Sequence, residues 1–266
     1  MKRRAHIAAI VLVFAAGAVA FAQRGMREQQ GIVDDVFGGR RAPIVVTDNV
    51  PYDGKLTFVR LRYTMGFNAG SFRRGEPPWM HDYPTADTHM MKILNELTMV
   101  RPRMDSSNIF SLADPELMKY PIAYMSEPGG WMMDDDEVVG LRNYLLKGGF
   151  VIFDDFRDQD WNNLEDQVRR AIPDGIWVEL DSTAQIFHSF FEINDLNYLT
   201  SYGNHQPTYW GLFEGNDKSG RLMAIANRDG DIGEYWEFSD TGYAPVDLSN
   251  EAYKFGVNYF IYGLTH

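Results

Sequence analysis

Two adjacent carboxylates, Asp154 and Asp155, follow directly on the apolar run Phe150-Val151-Ile152-Phe153. Like charges side by side repel, so one of the pair is raised in pKa unless a cation or a donor sits between them. One reading is a metal ligand or an acid/base pair. The other is that one aspartate caps the next loop while its neighbour faces solvent. Asp82, Asp87 and His89 lie around the start of a helical pattern. Asp87 suits the N-cap there, and His89, two positions on, points elsewhere, so the two are not an obvious chelate. His81 and His89 carry little individually. His188 is the stronger histidine, set in the aromatic segment Phe187-His188-Ser189-Phe190-Phe191. Its alternative is a buried ring satisfied by a backbone carbonyl.

Asp87, Glu127, Asp154, Asp155 and His188 together make a candidate ligand or metal rim. Oxygen and imidazole donors without thiolate suit zinc, manganese or magnesium. The chain has no cysteine, so no cysteine-ligated metal and no disulfide is possible. The sequence names no cofactor. There is no His-Glu-x-x-His and no EF-hand loop, and Asp229-Gly230-Asp231 reads as a turn, not a calcium loop. Gly129-Gly130 lacks the lysine and spacing of a phosphate loop, and Ser126-Glu127-Pro128 lacks the glycines of a hydrolase elbow. Trp79, Trp131, Trp210 and Trp236 all fall in predicted loops. They could line an aromatic cleft for a sugar or peptide-stem ligand, or lock long loops onto the core.

These residues need a frame to hold them. Leu56 to Tyr63 alternates as a strand. Gly66 to Pro78 reads as loop, and from Asp87 the positions Met90, Met91, Leu94 and Leu97 follow helical spacing. Pro121 to Met125 is a short strand. Asp134-Asp135-Asp136-Glu137 opens the clearest helix, which Gly148-Gly149 stops. Phe150 to Phe153 is a buried strand, and Trp161 to Ile172 is a helix ended by Pro173. Ile176 to Leu180 is the next strand. Gly211–Glu214 and Arg221–Ala226 make a hairpin near the C-terminus, and Ser249 or Asn250 caps a final helix. Strand and helix alternate through the middle, which predicts an α/β domain with a mostly parallel sheet and helices on both faces. Ligands in such sheets sit at the carboxyl ends of the strands, which puts the loops after Tyr63, Met125, Phe153 and Leu180 on one rim.

Residues 1–22 read as a secretory signal peptide. Lys2, Arg3 and Arg4 precede the apolar run Ile7–Phe21, and Ala20-Phe21-Ala22 presents small residues for cleavage. An uncleaved N-terminal anchor is the alternative, although the run is short for a span of about 20 residues. No later stretch is long and apolar enough to span. Residues 23–55 form a lead-in, and 56–266 form one domain. Cleavage lowers Lys plus Arg from 25 to 22 against 37 acidic residues, so the net charge moves from −12 to −15. That balance argues against nucleic acid and anionic lipid as partners.

Five segments in order carry a resemblance: Asp82-Tyr83-Pro84-Thr85-Ala86-Asp87; Tyr144-Leu145-Leu146-Lys147-Gly148-Gly149-Phe150 running into Asp154-Asp155-Phe156; Phe187-His188-Ser189-Phe190-Phe191; Asp231-Ile232-Gly233-Glu234-Tyr235-Trp236-Glu237; and Gly256-Val257-Asn258-Tyr259 onward to Thr265. Over residues 56–266 the chain resembles the bacterial domain-of-unknown-function family 4159. The resemblance implies a flavodoxin-like fold similar to class I glutamine amidotransferase domains, and no established activity. By analogy the nucleophile elbow of those enzymes falls near Asp154-Asp155. With no cysteine anywhere, a cysteine-dependent amidotransferase is excluded.

The expected function is therefore an exported, periplasmic or secreted, non-catalytic domain that binds an envelope protein or a small ligand, a glycan among the options. The alternative is a metal-assisted hydrolase using Asp87, Asp154, Asp155 and His188.

Overall fold

The structure is a computed structural model that describes residues 46–66, 77–199 and 206–266. The signal segment, most of the lead-in and residues 67–76 of the Gly/Pro-rich loop lie outside the described residues. Nine strands are described: β1 (Val59–Leu61), β2 (Thr64–Met65), β3 (Asn108–Phe110), β4 (Ile122–Ser126), β5 (Trp131–Met132), β6 (Phe150–Phe156), β7 (Trp177–Glu179), β8 (Thr208–Phe213) and β9 (Leu222–Arg228). Five α-helices accompany them: α1 (Thr85–Leu97), α2 (Asp135–Leu146), α3 (Asp160–Ala171), α4 (Ile232–Glu237) and α5 (Val246–Thr265).

Seven strands form one sheet in the order β3-β1-β4-β6-β9-β8-β7, and β2 pairs with β5 apart from it. Contacts from β3 to β9 are parallel, while β8 runs antiparallel to both β9 and β7. The protein is thus an α/β domain on a mostly parallel sheet. Side chains alternate across it with period two. Ile122, Tyr124, Phe150 and Ile152 face the core shared with Met90, Leu94, Phe255 and Phe260 of α1 and α5. Phe153 points the other way, onto Trp131 and Trp177. The close seat of α5 needs Gly263, where a Cβ would stand 2.7 Å from Ile122 Cγ1.

Helix α2 starts as its acidic first turn predicts. Asp134 accepts from Glu137 N, and the Glu137 side chain returns to Asp134 N, a complete capping box. Elsewhere the boundaries differ from the sequence reading. Helix α1 begins at Thr85 after Pro84 with no side-chain cap, so Asp87 lies inside the first turn and is not the N-cap. Helix α5 begins at Val246 behind Pro245, ahead of Ser249 and Asn250, because proline pre-sets an entry that needs no hydroxyl or amide. Strand β6 does not stop at Phe153. It continues through both aspartates to Phe156, with a register shift against β9 between Phe153 and Phe156. The short strand β3 and helix α4 were not anticipated; three and six residues give too little periodicity to read.

Candidate acidic site around His81

Arg60 is the residue from which the site is built. It stands in the middle of β1, fully buried, on the same side of the strand as Phe58. Its guanidinium pairs with both carboxylate oxygens of Asp87 on α1 and donates to the carbonyls of Trp79 and His81. The rings of Tyr124, Phe58 and Tyr83 surround it. One buried cation therefore ties β1, α1 and the segment 78–82 together, and it fixes the backbone of His81 above the end of the sheet. Charge-assisted bonds of this kind, made at every guanidinium nitrogen, are the form in which a buried arginine is tolerated.

A second network fixes the floor. Three residues of β6, Asp154 to Phe156, cover two of β9, Asn227 and Arg228. The extra residue makes a bulge that re-aims the side chains. Asp154 turns inward, with no exposure. It accepts from Tyr124 Oη at 2.8 Å, Asn227 Nδ2 at 2.9 Å, and the backbone amides of Ile232 and Gly233 at 3.0 Å each. Tyr259 Oη donates in turn to Asn227 Oδ1. Asp154 thereby caps the start of α4 from another strand, while Asp231 caps it locally through Glu234 N.

Above this floor sits His81. Its Nδ1 lies 2.8 Å from Asp155 Oδ2, 3.5 Å from Asp82 Oδ1 and 3.8 Å from Glu127 Oε1. Asp82, Glu127 and Asp155 all have left-handed backbones, with φ of 63°, 48° and 53°. Non-glycine residues rarely adopt that region, and each instance carries a cost that the surroundings must hold in place. At Glu127 the holder is Tyr63, whose hydroxyl donates to the carbonyls of Ser126 and Glu127. The Asp82 side chain is shut off from solvent, and neither of its oxygens has a hydrogen-bond partner. Glu234 of α4 closes the group: His81, Asp82 and Glu234 offer one ligand atom each within 4.8 Å of one another, as do His81, Glu127 and Asp155.

The electrostatics follow from crowding. Burial alone would lower the His81 imidazole. The charges of Asp82, Asp155 and Asp231, with the hydrogen bond to Asp155, outweigh it and push the pKa up to about 11. Burial pushes the Asp82 carboxyl well above the ordinary carboxylate range; His81 pulls it back, and Glu234, Asp155 and Glu237 push it further. Asp231 is raised well above that range by burial and then by Asp155 and Asp82. Asp154 is raised by burial against the pull of its Asn227 and Tyr124 bonds. Burial, with the neighbouring carboxylates, thus raises all three of these carboxyls.

The five residues predicted for the rim divide accordingly. Glu127 and Asp155 stand together at His81. Asp154 is beneath them, closed within its own network. Asp87 is one step away, committed to Arg60. His188 does not join. It is bonded to Ser182 O and Glu192 Oε2, each at 2.6 Å. It lies in the 3-10 turn Gln185–His188 after β7, and among the described residues no group of potential metal ligands includes it. Asp87, Asp154, Asp155 and His188 consequently form no common donor set. His81, Asp82 and Glu234 take their place. Asp82 and Glu234 fall in the quoted motifs, but nothing in their spacing indicated that the two segments meet.

The tryptophans need correcting as well. Trp131 lies in β5, Trp210 in β8 and Trp236 in α4, and Trp79 lies in the 3-10 turn Pro78–Met80; none is on an irregular loop. Trp131 and Trp236 have no exposure, and Trp79 is buried. Trp236 donates to Ala252 O from the core between α4 and α5, while Trp131 stacks on Phe153 on the other face. Trp210 is half-buried and packs on Trp161, with ring centroids 4.9 Å apart, so the four tryptophans do not gather in one cleft. Among the described residues, no helix is long and apolar enough to cross a membrane.

The model of a family described as a domain of unknown function (DUF4159) matches residues 57–264. That range takes in β1 through α5 and every residue of the His81 cluster. No curated protein matches the chain.

Proposed function

We propose that this chain, which belongs to the DUF4159 family, is an exported domain that binds a cationic ligand or partner on the acidic rim around His81. The observation that carries this reading is the convergence of Asp82, Glu127, Asp155 and Glu234 on the one imidazole of His81, with no hydrogen bond reaching either Asp82 oxygen. A seat of that composition favours positive charge and repels anions. The bulge at Asp155 and the left-handed turn at Glu127 hold two of those carboxylates at the carboxyl ends of β6 and β4, where open α/β sheets take their ligands.

The fold is read as the amidotransferase-like variant of the flavodoxin architecture, with its elbow position occupied by acid in place of a nucleophile. Thiol chemistry is closed to a chain without cysteine, and the Ser126 side chain at the end of β4 is buried beneath the rim. The role read here is binding. The address is the periplasm or the exterior, through the signal-like residues 1–22, and the partner is an envelope protein or small ligand presenting positive charge.

The test is equilibrium binding of a lysine-rich fluorescent peptide to the purified protein at low and moderate salt. Asp155→Asn with Glu127→Gln should weaken binding by at least about fivefold, and salt should weaken it further. Equal binding by wild type and double variant would refute the reading. Fractionation of cells into cytoplasm and periplasm tests the address.

A metal-assisted hydrolase remains as a second reading. It is favoured by the mixed imidazole and carboxylate donors, now centred on His81 and not on His188.

A further inference from the structure

We propose that the rim holds one divalent transition-metal ion, bound by a ring nitrogen of His81 and carboxylate oxygens of Asp82 and Glu234. The inference deepens the cation-seat reading and rests on it.

Three observations converge. The donor atoms of the three residues lie within 4.8 Å of one another. Ligands around an ion with bonds of about 2.0–2.2 Å stand roughly 3–3.5 Å apart, so small side-chain rotations close the set. Next, Asp82 has no exposed side-chain surface and no donor on either oxygen. Its recorded partner is the His81 ring, 3.5 Å from Oδ1, so the carboxyl is ion-paired yet receives no hydrogen bond, and buried polar groups are satisfied as a rule. Last, the start of α4 packs directly against it. Gly233 faces Asp82, and a Cβ there would lie 2.5 Å from Asp82 Oδ2 and 2.6 Å from Tyr124 Oη. A side chain at position 233 would push the start of α4 away from the carboxylate, so glycine is what lets this segment approach Asp82.

The donor types select the ion. One imidazole with two carboxylates suits zinc or manganese, while calcium takes six to eight oxygens and no imidazole. Asp155 is the present partner of Nδ1, and with Glu127 it forms a second, overlapping set on the same ring. That overlap leaves two further carboxylates beside the ion as additional ligands or as acceptors for water bound to it.

The test uses purified, untagged protein stripped with chelator and titrated calorimetrically with zinc alone. One ion per chain is expected. Asp82→Asn, Glu234→Gln and His81→Gln should each weaken binding at least about tenfold, while His188→Gln leaves it unchanged. Circular dichroism checks each variant for folding; should Asp82→Asn fail to fold, Glu234→Gln carries the test. Absence of a zinc site in wild type, unchanged affinity in folded variants, or equal affinity for calcium would overturn the proposal. A parallel titration with the lysine-rich peptide separates the two claims. Peptide binding without zinc binding removes the metal site and keeps the acidic seat; loss of both removes both.

Discussion

Replacing Arg60 by methionine tests the foundation of the site. The side chain has no exposure, and its four recorded hydrogen bonds reach Asp87 twice and the carbonyls of Trp79 and His81 once each. Methionine keeps much of the volume and removes the charge. Breaking one side of a buried ion pair costs about 3–5 kcal/mol, because the other charge is left uncompensated. The two carbonyls lose their guanidinium donor, which raises the expected loss to about 4–6 kcal/mol. For a domain of this size each kcal/mol moves Tm by about 2–4 °C, so Tm should fall by roughly 8–24 °C. The second half of the experiment is Arg60→Met with Asp87→Leu. Removing both charges should recover about 2 kcal/mol or more relative to the single variant, the signature of direct coupling. Urea denaturation of wild type, both singles and the double gives the cycle. A loss below about 1 kcal/mol in Arg60→Met, or a double variant no more stable than the single, would refute the claim that this pair anchors the His81 segment.

Asp154→Asn replaces an acceptor of four bonds by a group with one acceptor oxygen and an amide that faces other donors; it should destabilise by about 2–4 kcal/mol, measured by urea denaturation, and near-wild-type stability would contradict its role as floor. Gly233→Ala should weaken zinc binding by displacing the start of α4 from Asp82, and equal zinc affinity in the folded variant would show that this close approach is not part of the seat. Chelator-stripped protein should lose stability as pH rises from 4 to 9. The carboxyls of Asp82, Asp154 and Asp231 and the imidazole of His81 all have folded pKa values above their unfolded ones. The native state then binds more protons than the unfolded one across that window, and the stabilisation present at low pH is lost on raising it. Denaturation midpoints that climb between pH 5 and 8 would contradict the protonated rim.

Much of the frame is legible in the chain. The capping box at Asp134, the glycine stop at Gly148-Gly149 and the apolar run of β6 are local signals, and the structure places helix and strand where they point. The family resemblance likewise rests on contiguous motifs, and the matched range covers them. The site is less legible because it is assembled from residues far apart in sequence. Asp154 and Asp155 look equivalent as neighbours, and only the bulge against β9 sends one into the core and the other to the rim. His188 was favoured for its aromatic neighbours, yet Phe187 beside it is the buried residue, and His188 bonds at the surface to Ser182 and Glu192. His81 gave little signal because the carboxylates that define it come from its neighbour Asp82 and from three other segments. One clue was present: Arg60 inside an otherwise apolar strand, a charge that requires a buried partner and so pointed to a carboxylate such as Asp87.

The central claim is that the rim around His81 is where this protein binds. Long-range proton–nitrogen NMR spectra of the imidazole rings, followed during titration with the lysine-rich peptide and separately with zinc, observe that ring directly. The account predicts saturable shifts at His81, abolished by Asp82→Asn for zinc, with the rings of His188 and His266 unmoved. Binding that leaves the His81 ring unchanged while a distant histidine responds would place the site elsewhere and contradict the account.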